Sequence, residues 1–138
     1  MLYFSKVYNY LADFKLGFKK SWEAVFSPRI FKIYLLAILG IQLLGWYISI
    51  YVFRNLSGEL LILHYNVDFG TDLIGPPSRV FSGPLFGLFV LFANTIFALL
   101  LNRRRQSLIV NHFLIAGAMV INAFVLLALF TIYLNNFR

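Results

Sequence analysis

The chain has 138 residues, of which 61% are hydrophobic and 12% are charged, and its net charge is +7 at neutral pH. A soluble domain carries about 25% charged residues, so this chain has too few polar side chains to cover a globule in water, and we expect an integral membrane protein. The absence of cysteine excludes disulfides, thiolate metal sites and cysteine nucleophiles.

Residues 1–29 predict an amphipathic helix that lies in the membrane interface. Apolar side chains recur at steps of three or four, which places them on one helical face: Leu11, Phe14, Phe18, Trp22 and Val25. Lys15, Lys19 and Lys20 fall on the other side, where they would bind anionic lipid headgroups. Ser27-Pro28 ends the pattern, because proline removes a helical hydrogen bond. The alternative for this segment is a disordered basic tail.

The first predicted span covers residues 30–53. Lys32 lies near its start, where a long side chain can extend to the headgroups. Trp46, Tyr47 and Tyr51 lie in its far half, as in the aromatic belt of a membrane interface. The run is longer than the apolar part of a secretory signal and lacks a small-residue cleavage site, so we expect an uncleaved span.

Two further apolar runs, at 80–101 and 108–134, are long enough to cross a hydrocarbon core about 30 Å thick. The connection at 102–107 is short, which predicts an antiparallel helical hairpin. Its three basic residues are predicted to anchor it at the headgroups: Arg103, Arg104 and Arg105. The predicted fold is therefore an all-α integral membrane protein with three transmembrane helices and an N-terminal interfacial amphipathic helix.

The distribution of basic residues predicts the orientation. Six lie before or at the start of the first span and three lie in the 102–107 connection, against three on the other side. The positive-inside rule then places the N-terminus in the cytoplasm and both the 54–79 loop and the 135–138 tail outside, in a bacterial cytoplasmic membrane. Since these charges flank apolar runs, we expect lipid headgroups and not nucleic acid as their partner.

Polar side chains inside the predicted spans are few: Gln42, Asn94, Asn111, His112 and Asn122. An amide facing lipid is costly, and Asn94 and Asn122 both lie near the middle of a span, so we predict a hydrogen bond between them. His112 is expected to bind a neighbouring helix or a headgroup rather than to act as a base. No acid or base lies at mid-membrane, which disfavours a pump or an ion-coupled carrier.

Gly83 and Gly87 have the small-xxx-small spacing that permits close approach of two helices. The alternative is that Gly83-Pro84 only marks the start of the span, because proline costs little in a first helical turn.

The 54–79 loop contains the stretch LHYNVDFGTDLIGPP, in which acids, a histidine and glycines are close together. Alternating side chains favour an extended segment with turns at Gly70 and Gly75, packed on the outer interface, over a helix with a four-residue repeat of polar groups. Six residues are predicted to shape this loop, mostly by capping its turns: His64, Asn66, Asp68, Gly70, Asp72 and Gly75.

The same loop is the candidate for a metal or catalytic site. His64, Asp68 and Asp72 together could hold zinc or iron, which need about three protein ligands. Their spacing matches no specific metal motif, and the chain lacks HExxH, phosphate-loop and GxSxG patterns. We therefore expect no cofactor and favour turn capping.

The loop also carries a resemblance. LHYN at 63–66, FG at 69–70, Asp72 and Gly75 resemble an LHYNxxFGxDxxG pattern of small bacterial multi-pass membrane proteins, between a first span and a closing helical hairpin. The resemblance implies the three-span layout and its topology. It implies no catalytic role.

The leading functional hypothesis is a non-enzymatic assembly, accessory or scaffolding subunit. It would act through helix–helix contacts and the outer loop, with other membrane subunits or a second copy as partner. One alternative is a membrane-interface enzyme or metal-binding protein that uses His64, Asp68 and Asp72. The other is an oligomeric transporter or channel component.

Overall fold

A computed structural model describes residues 2–56, 60–66, 68, 70–104 and 108–137. In these residues the chain forms four long helices, one two-stranded sheet and one short 3-10 helix. In chain order the elements are α1 (Leu2–Phe26), α2 (Arg29–Asn55), β1 (Leu61–Asn66), β2 (Gly70–Gly75), the 3-10 helix (Pro77–Phe81), α3 (Ser82–Arg104) and α4 (Leu108–Asn136).

Three segments are long and apolar enough to cross a membrane: Arg29–Asn55, Pro77–Asn102 and Leu108–Asn136. At a rise of about 1.5 Å per residue, helices of this length span roughly 40 Å, more than the hydrocarbon core of about 30 Å. The predicted multi-pass membrane architecture is confirmed. Each helix extends beyond the predicted span at one or both ends, because the polar residues at its ends continue the same backbone hydrogen bonding.

The segment between α2 and α3 contains an antiparallel hairpin. Leu61 lies opposite Gly75 and Asn66 opposite Gly70, with a register irregularity beside His64. Gly70 is the first residue of β2. Its φ is +77°, in the left-handed region that glycine adopts at little cost. The extended conformation predicted here is confirmed and the helical alternative is wrong. Apart from this hairpin, the described elements are helical, in agreement with the predicted all-α class.

Helix α1 ends at Phe26, the chain bends at Ser27 and Pro28, and α2 begins at Arg29. Pro28 is extended, with φ −63° and ψ 134°, so its ring stands before the new helix rather than inside it. The break predicted at this point is confirmed.

The contact face of α1 overlaps only in part with the predicted apolar face, since Phe14, Phe18 and Val25 belong to both. Ser21 and Val25 are buried, whereas Leu11 and Trp22 are about half exposed or more. Ser21 donates its hydroxyl to the carbonyl of Gly17, which satisfies a polar group on the buried face. Side chains of α1 and α3 meet in a shallow apolar groove: Phe14, Phe18, Ser21, Ile96, Leu99 and Leu100. The amphipathic, interfacial character of α1 stays a prediction.

Two groups of buried side chains hold the spanning helices together. One lies toward the α3–α4 connection: Phe31, Ile38, Val90, Ile115 and Ala118. The other lies beneath the hairpin: Val52, Leu61, Val80 and Leu129. Because Leu61 belongs to β1, the hairpin packs directly on one end of the three-helix bundle, called here the hairpin end. The space between the two groups is occupied by polar side chains.

Candidate functional site

The polar centre of the bundle is an amide pair between α2 and α4. Gln42 Nε2 donates to Asn122 Oδ1 at 2.6 Å and lies 3.3 Å from the carbonyl oxygen of Pro84 on α3. Asn122 Nδ2 in turn donates to the carbonyls of Gly87 at 3.2 Å and Ala118 at 2.8 Å. Both side chains are buried. One polar cluster therefore joins all three spanning helices, and its donors are satisfied without water.

Gly87 leaves room for this pair. A Cβ at that position would lie 2.5 Å from Asn122 Oδ1 and 2.5 Å from Gln42 Nε2, closer than atoms can approach. A Cβ at Gly83 would lie 3.3 Å from Leu129 on α4. The close approach predicted from the glycine spacing is confirmed between α3 and α4, since both positions touch α4 side chains.

The predicted hydrogen bond between Asn94 and Asn122 is wrong. Asn94 Nδ2 donates to the carbonyl of Val90, within its own helix, at 2.9 Å. Asn94 is seven residues from Gly87, the α3 residue level with Asn122, and this places it about 10 Å further along the helix. The partner of Asn122 comes instead from α2.

A second buried amide pair lies beside the α3–α4 connection. Asn102 Nδ2 donates to Asn111 Oδ1 and also to the carbonyl of Ala98 at 2.7 Å. Both asparagines are buried. Asn102 Oδ1 and Asn111 Nδ2 have no hydrogen-bond partner within the described residues. Asn111 is one of the polar residues singled out from the sequence, whereas Asn102 belongs to the predicted connection and not to a span.

His112 contacts the neighbouring helix α2. Its Nε2 lies 2.9 Å from the hydroxyl of Tyr34, and the two rings have centroids 5.2 Å apart in an edge-on arrangement. The ring centroid of Phe31 lies 6.1 Å from that of the same imidazole. The predicted role of His112 as a partner of a neighbouring helix is therefore confirmed.

Besides the apolar packing of Leu61 on Leu129, Asn136 of α4 hydrogen-bonds the hairpin backbone. Its Oδ1 accepts from the Ile62 amide at 3.0 Å, and its Nδ2 donates to the Ile62 carbonyl at 2.8 Å. An asparagine amide presents one donor and one acceptor side by side, as a neighbouring strand would. The outer edge of β1 is thus covered at this point. Sequence reasoning missed Asn136, because an asparagine at a helix end is ordinarily taken for a helix terminus.

His64 and Asp72 bind each other across the hairpin. His64 Nδ1 lies 2.6 Å from Asp72 Oδ1, and the two side chains are 61% and 43% exposed. The structure therefore has a cross-strand pair where separate turn caps were predicted, because the two residues stand nearly opposite each other in the register. Such an exposed pair contributes little to stability.

The metal hypothesis needs a third ligand beside this pair. Among the described residues, no group of three or more histidines and acids is close enough to hold a metal ion. Asp68 is exposed in the turn and does not join His64 and Asp72 in such a group. The Asn66 side chain, predicted to shape the loop, lies outside the described part of the structure.

A groove opens between the hairpin and the ends of α3 and α4. Its volume is about 390 Å³, and its walls are almost entirely apolar. Leu63 and Leu73 come from the hairpin, Gly83 from α3 and Ala128 from α4. Among the described residues of this lining, Arg79, in the 3-10 helix, is the only charged one. No sequence signal pointed to the groove, because its walls come from four separate segments.

The structure describes only some of the side chains that were predicted to anchor the protein at the cytoplasmic headgroups. Lys15, Lys19 and Lys20 are exposed on α1, as a headgroup contact requires. The side chains of Arg103 and Arg104, and all of Arg105, lie outside the described residues. Their role as lipid anchors stays a prediction.

Comparison with known proteins finds no matching family model, no matching curated protein and no matching solved structure. The resemblance of the loop to small bacterial membrane proteins therefore stays a prediction.

Proposed function

We propose that the protein is a small non-enzymatic subunit that helps to assemble other components of a bacterial cytoplasmic membrane. It would bind another membrane protein, or a second copy of itself, through the hairpin and the faces of its spanning helices. The observation that carries this proposal is the way the hairpin is held: one edge is fixed to the bundle and the other edge is presented outward.

The fixed edge is that of β1. Leu61 is fully buried between helices, and Asn136 occupies both backbone groups of Ile62. A hairpin of two strands is marginal by itself in water, so these contacts are what hold it in one position. A fixed position lowers the entropy lost when a partner binds.

The presented edge is that of β2. In the described residues the sheet contains β1 and β2 alone, so β2 borders no further strand. Since the backbone groups of Ile62 point away from β2, those of its partner Ile74 point away from β1, following the alternation of an antiparallel ladder. Ile74 is also half exposed. An open strand edge with apolar side chains is a common place for a partner to add a strand.

The proposed orientation places this hairpin on the outer face of the membrane. Aromatic side chains gather at the hairpin end of the bundle, where Tyr51, Tyr133 and Phe137 have ring centroids between 5.1 and 5.9 Å apart. Such a group suits a membrane–water interface. The exposed lysines of α1, at the other end, favour a cytoplasmic N-terminus.

The alternatives receive less support. An enzyme or metal protein would need more than the exposed His64–Asp72 pair, and a transporter would need several copies to enclose a pathway.

The proposal is tested by affinity isolation of the tagged full-length protein from native membranes, followed by mass spectrometry. Ile74→Pro removes the outward-facing backbone donor, and Ile74→Val keeps it. We expect a membrane protein, or a second copy, to co-purify with the wild type and Ile74→Val and to be reduced with Ile74→Pro. A strictly monomeric protein that co-purifies with nothing would contradict the proposal.

A further inference from the structure

The groove between the hairpin, α3 and α4 has the size and the lining of a ligand site. Its volume of about 390 Å³ falls within the range of about 300–1,000 Å³ that small-molecule pockets occupy. Such sites are mostly apolar with a few well-placed polar groups, and Arg79 is the charged one among the described residues here.

Small residues keep the groove open. At Gly83 even a Cβ would lie within 3.3–3.4 Å of Leu129 and Val125, so a larger side chain would push into the groove walls. Ala128, on the opposite wall, is exposed and too short to fill the space. Leu73 covers the groove from the hairpin side and remains about half exposed. Small residues on both helical walls therefore leave this space open in the structure.

Arg79 stands at the hairpin end of the groove, in the short 3-10 helix before α3. Its stem lies over Gly75, where an added Cβ would meet Arg79 Cδ at 3.0 Å. Within the described residues its guanidinium has no hydrogen bond or ion pair, and Asp72 is bound to His64. Arg79 thus offers a positive charge and several hydrogen-bond donors beside the apolar groove.

The geometry points to a binding site for one anionic phospholipid. An acyl chain lies in the apolar groove and the phosphate accepts hydrogen bonds from Arg79. Guanidinium matches phosphate with two parallel donors, which makes this pairing stronger than a contact between neutral groups. A zwitterionic lipid carries an ammonium group that Arg79 repels, so the site selects for net negative charge. In the proposed orientation this lipid belongs to the outer leaflet, opposite to the lysines of α1.

The test measures lipid retained by the purified full-length protein. The protein is reconstituted with equal amounts of phosphatidylglycerol and phosphatidylethanolamine, released into detergent and weighed by native mass spectrometry. The wild type is expected to retain one lipid, with phosphatidylglycerol in excess. Arg79→Gln is expected to lower that excess by about threefold to tenfold, the size of one charge-assisted contact. Arg54→Gln, a charge lost at the same end of the bundle but outside the groove, is expected to leave it unchanged.

A second variant tests the acyl chain. Ala128→Phe adds an aromatic ring to an exposed position of the groove wall, so the fold is expected to survive and retention of both lipids to fall. Equal effects of Arg79→Gln and Arg54→Gln would mean that the preference is a general surface charge effect and would overturn the site. Undiminished retention in Ala128→Phe would show that the chain does not occupy the groove. Neither result depends on finding a protein partner, so the lipid site and the proposed function can fail separately.

Discussion

The side chains of Gln42 and Asn122 meet at 2.6 Å in the middle of the bundle, although eighty positions separate them in the chain. Through Pro84 and Gly87 the same two amides also bind the backbone of α3. The pair therefore links α2, α3 and α4 at one level along their axes. At this central contact a polar interaction accompanies the apolar packing of the two buried groups.

Asn122→Leu is expected to destabilise the protein by about 1–2 kcal/mol, near the upper end of hydrogen-bond contributions measured within membranes. The substitution removes the Asn122 acceptor of Gln42 Nε2, which keeps its contact with the Pro84 carbonyl. It also removes the Asn122 donor to the Gly87 carbonyl. The measurement is thermal unfolding in one detergent. Asn94→Leu is the control, because within the described residues Asn94 bonds only to its own helix, and it is expected to cost less. Equal losses in the two variants would contradict the assigned role of the pair.

Gly87→Ala is expected to destabilise the bundle by about 1–3 kcal/mol, since the new methyl group collides with both amides of the pair. Gly40→Ala is the matched control. Its Cβ would meet no heavy atom of the described residues within 4 Å, and alanine favours the helix over glycine. The same unfolding measurement compares the two variants, and a Gly87→Ala protein as stable as Gly40→Ala would argue against the close approach.

Asn136→Ala is expected to loosen the hairpin without unfolding the helices. The Ile62 amide loses its acceptor, so its hydrogen exchange is expected to quicken by about tenfold, the equivalent of one net hydrogen bond. Thr131→Ala, on the same helix, removes only a bond to its own backbone and serves as the control. Unchanged exchange at Ile62 would show that Asn136 does not hold the strand.

His64→Ala and Asp72→Ala are each expected to change stability by less than about 1 kcal/mol, because the pair is largely exposed. Elemental analysis of the purified protein checks the competing hypothesis at the same time. Stoichiometric zinc or iron that disappears in both variants would favour a metal site over a structural pair.

The orientation is open to cysteine labelling, because the chain has no cysteine of its own. Ser78→Cys, exposed beside the hairpin, is expected to react with an impermeant thiol reagent in intact cells. Ser27→Cys, exposed at the bend between α1 and α2, is expected to react only after permeabilisation. The reverse pattern would place the hairpin in the cytoplasm.

The features that could be predicted from sequence are those set by local chain properties. The spans follow from apolar runs of sufficient length, and the break after α1 follows from Pro28. Gly87 was recognisable because the spacing of small residues repeats along one helical face. In the loop, alternation of side chains was enough to identify extended chain but not its pairing.

What escaped prediction depends on how separate helices are rotated and shifted against each other. Asn122 has Gln42 as its partner rather than Asn94, because α2 and not the middle of α3 stands level with it. Asn136 and Ile62 are 74 positions apart and meet only when the hairpin folds back over the bundle. The Arg79 groove is likewise a product of assembly, since no single segment contains its shape.

The central claim, that the free edge of β2 binds a partner, is tested most directly by photo-crosslinking in native membranes. A photoreactive amino acid replaces Thr71, which is exposed in β2, and a control protein carries it at Ser27, at the opposite end of the bundle. We expect one defined protein adduct from position 71, absent from position 27 and reduced when Ile74→Pro is added. Adducts to lipid alone, or the same protein adduct from both positions, would contradict the claim.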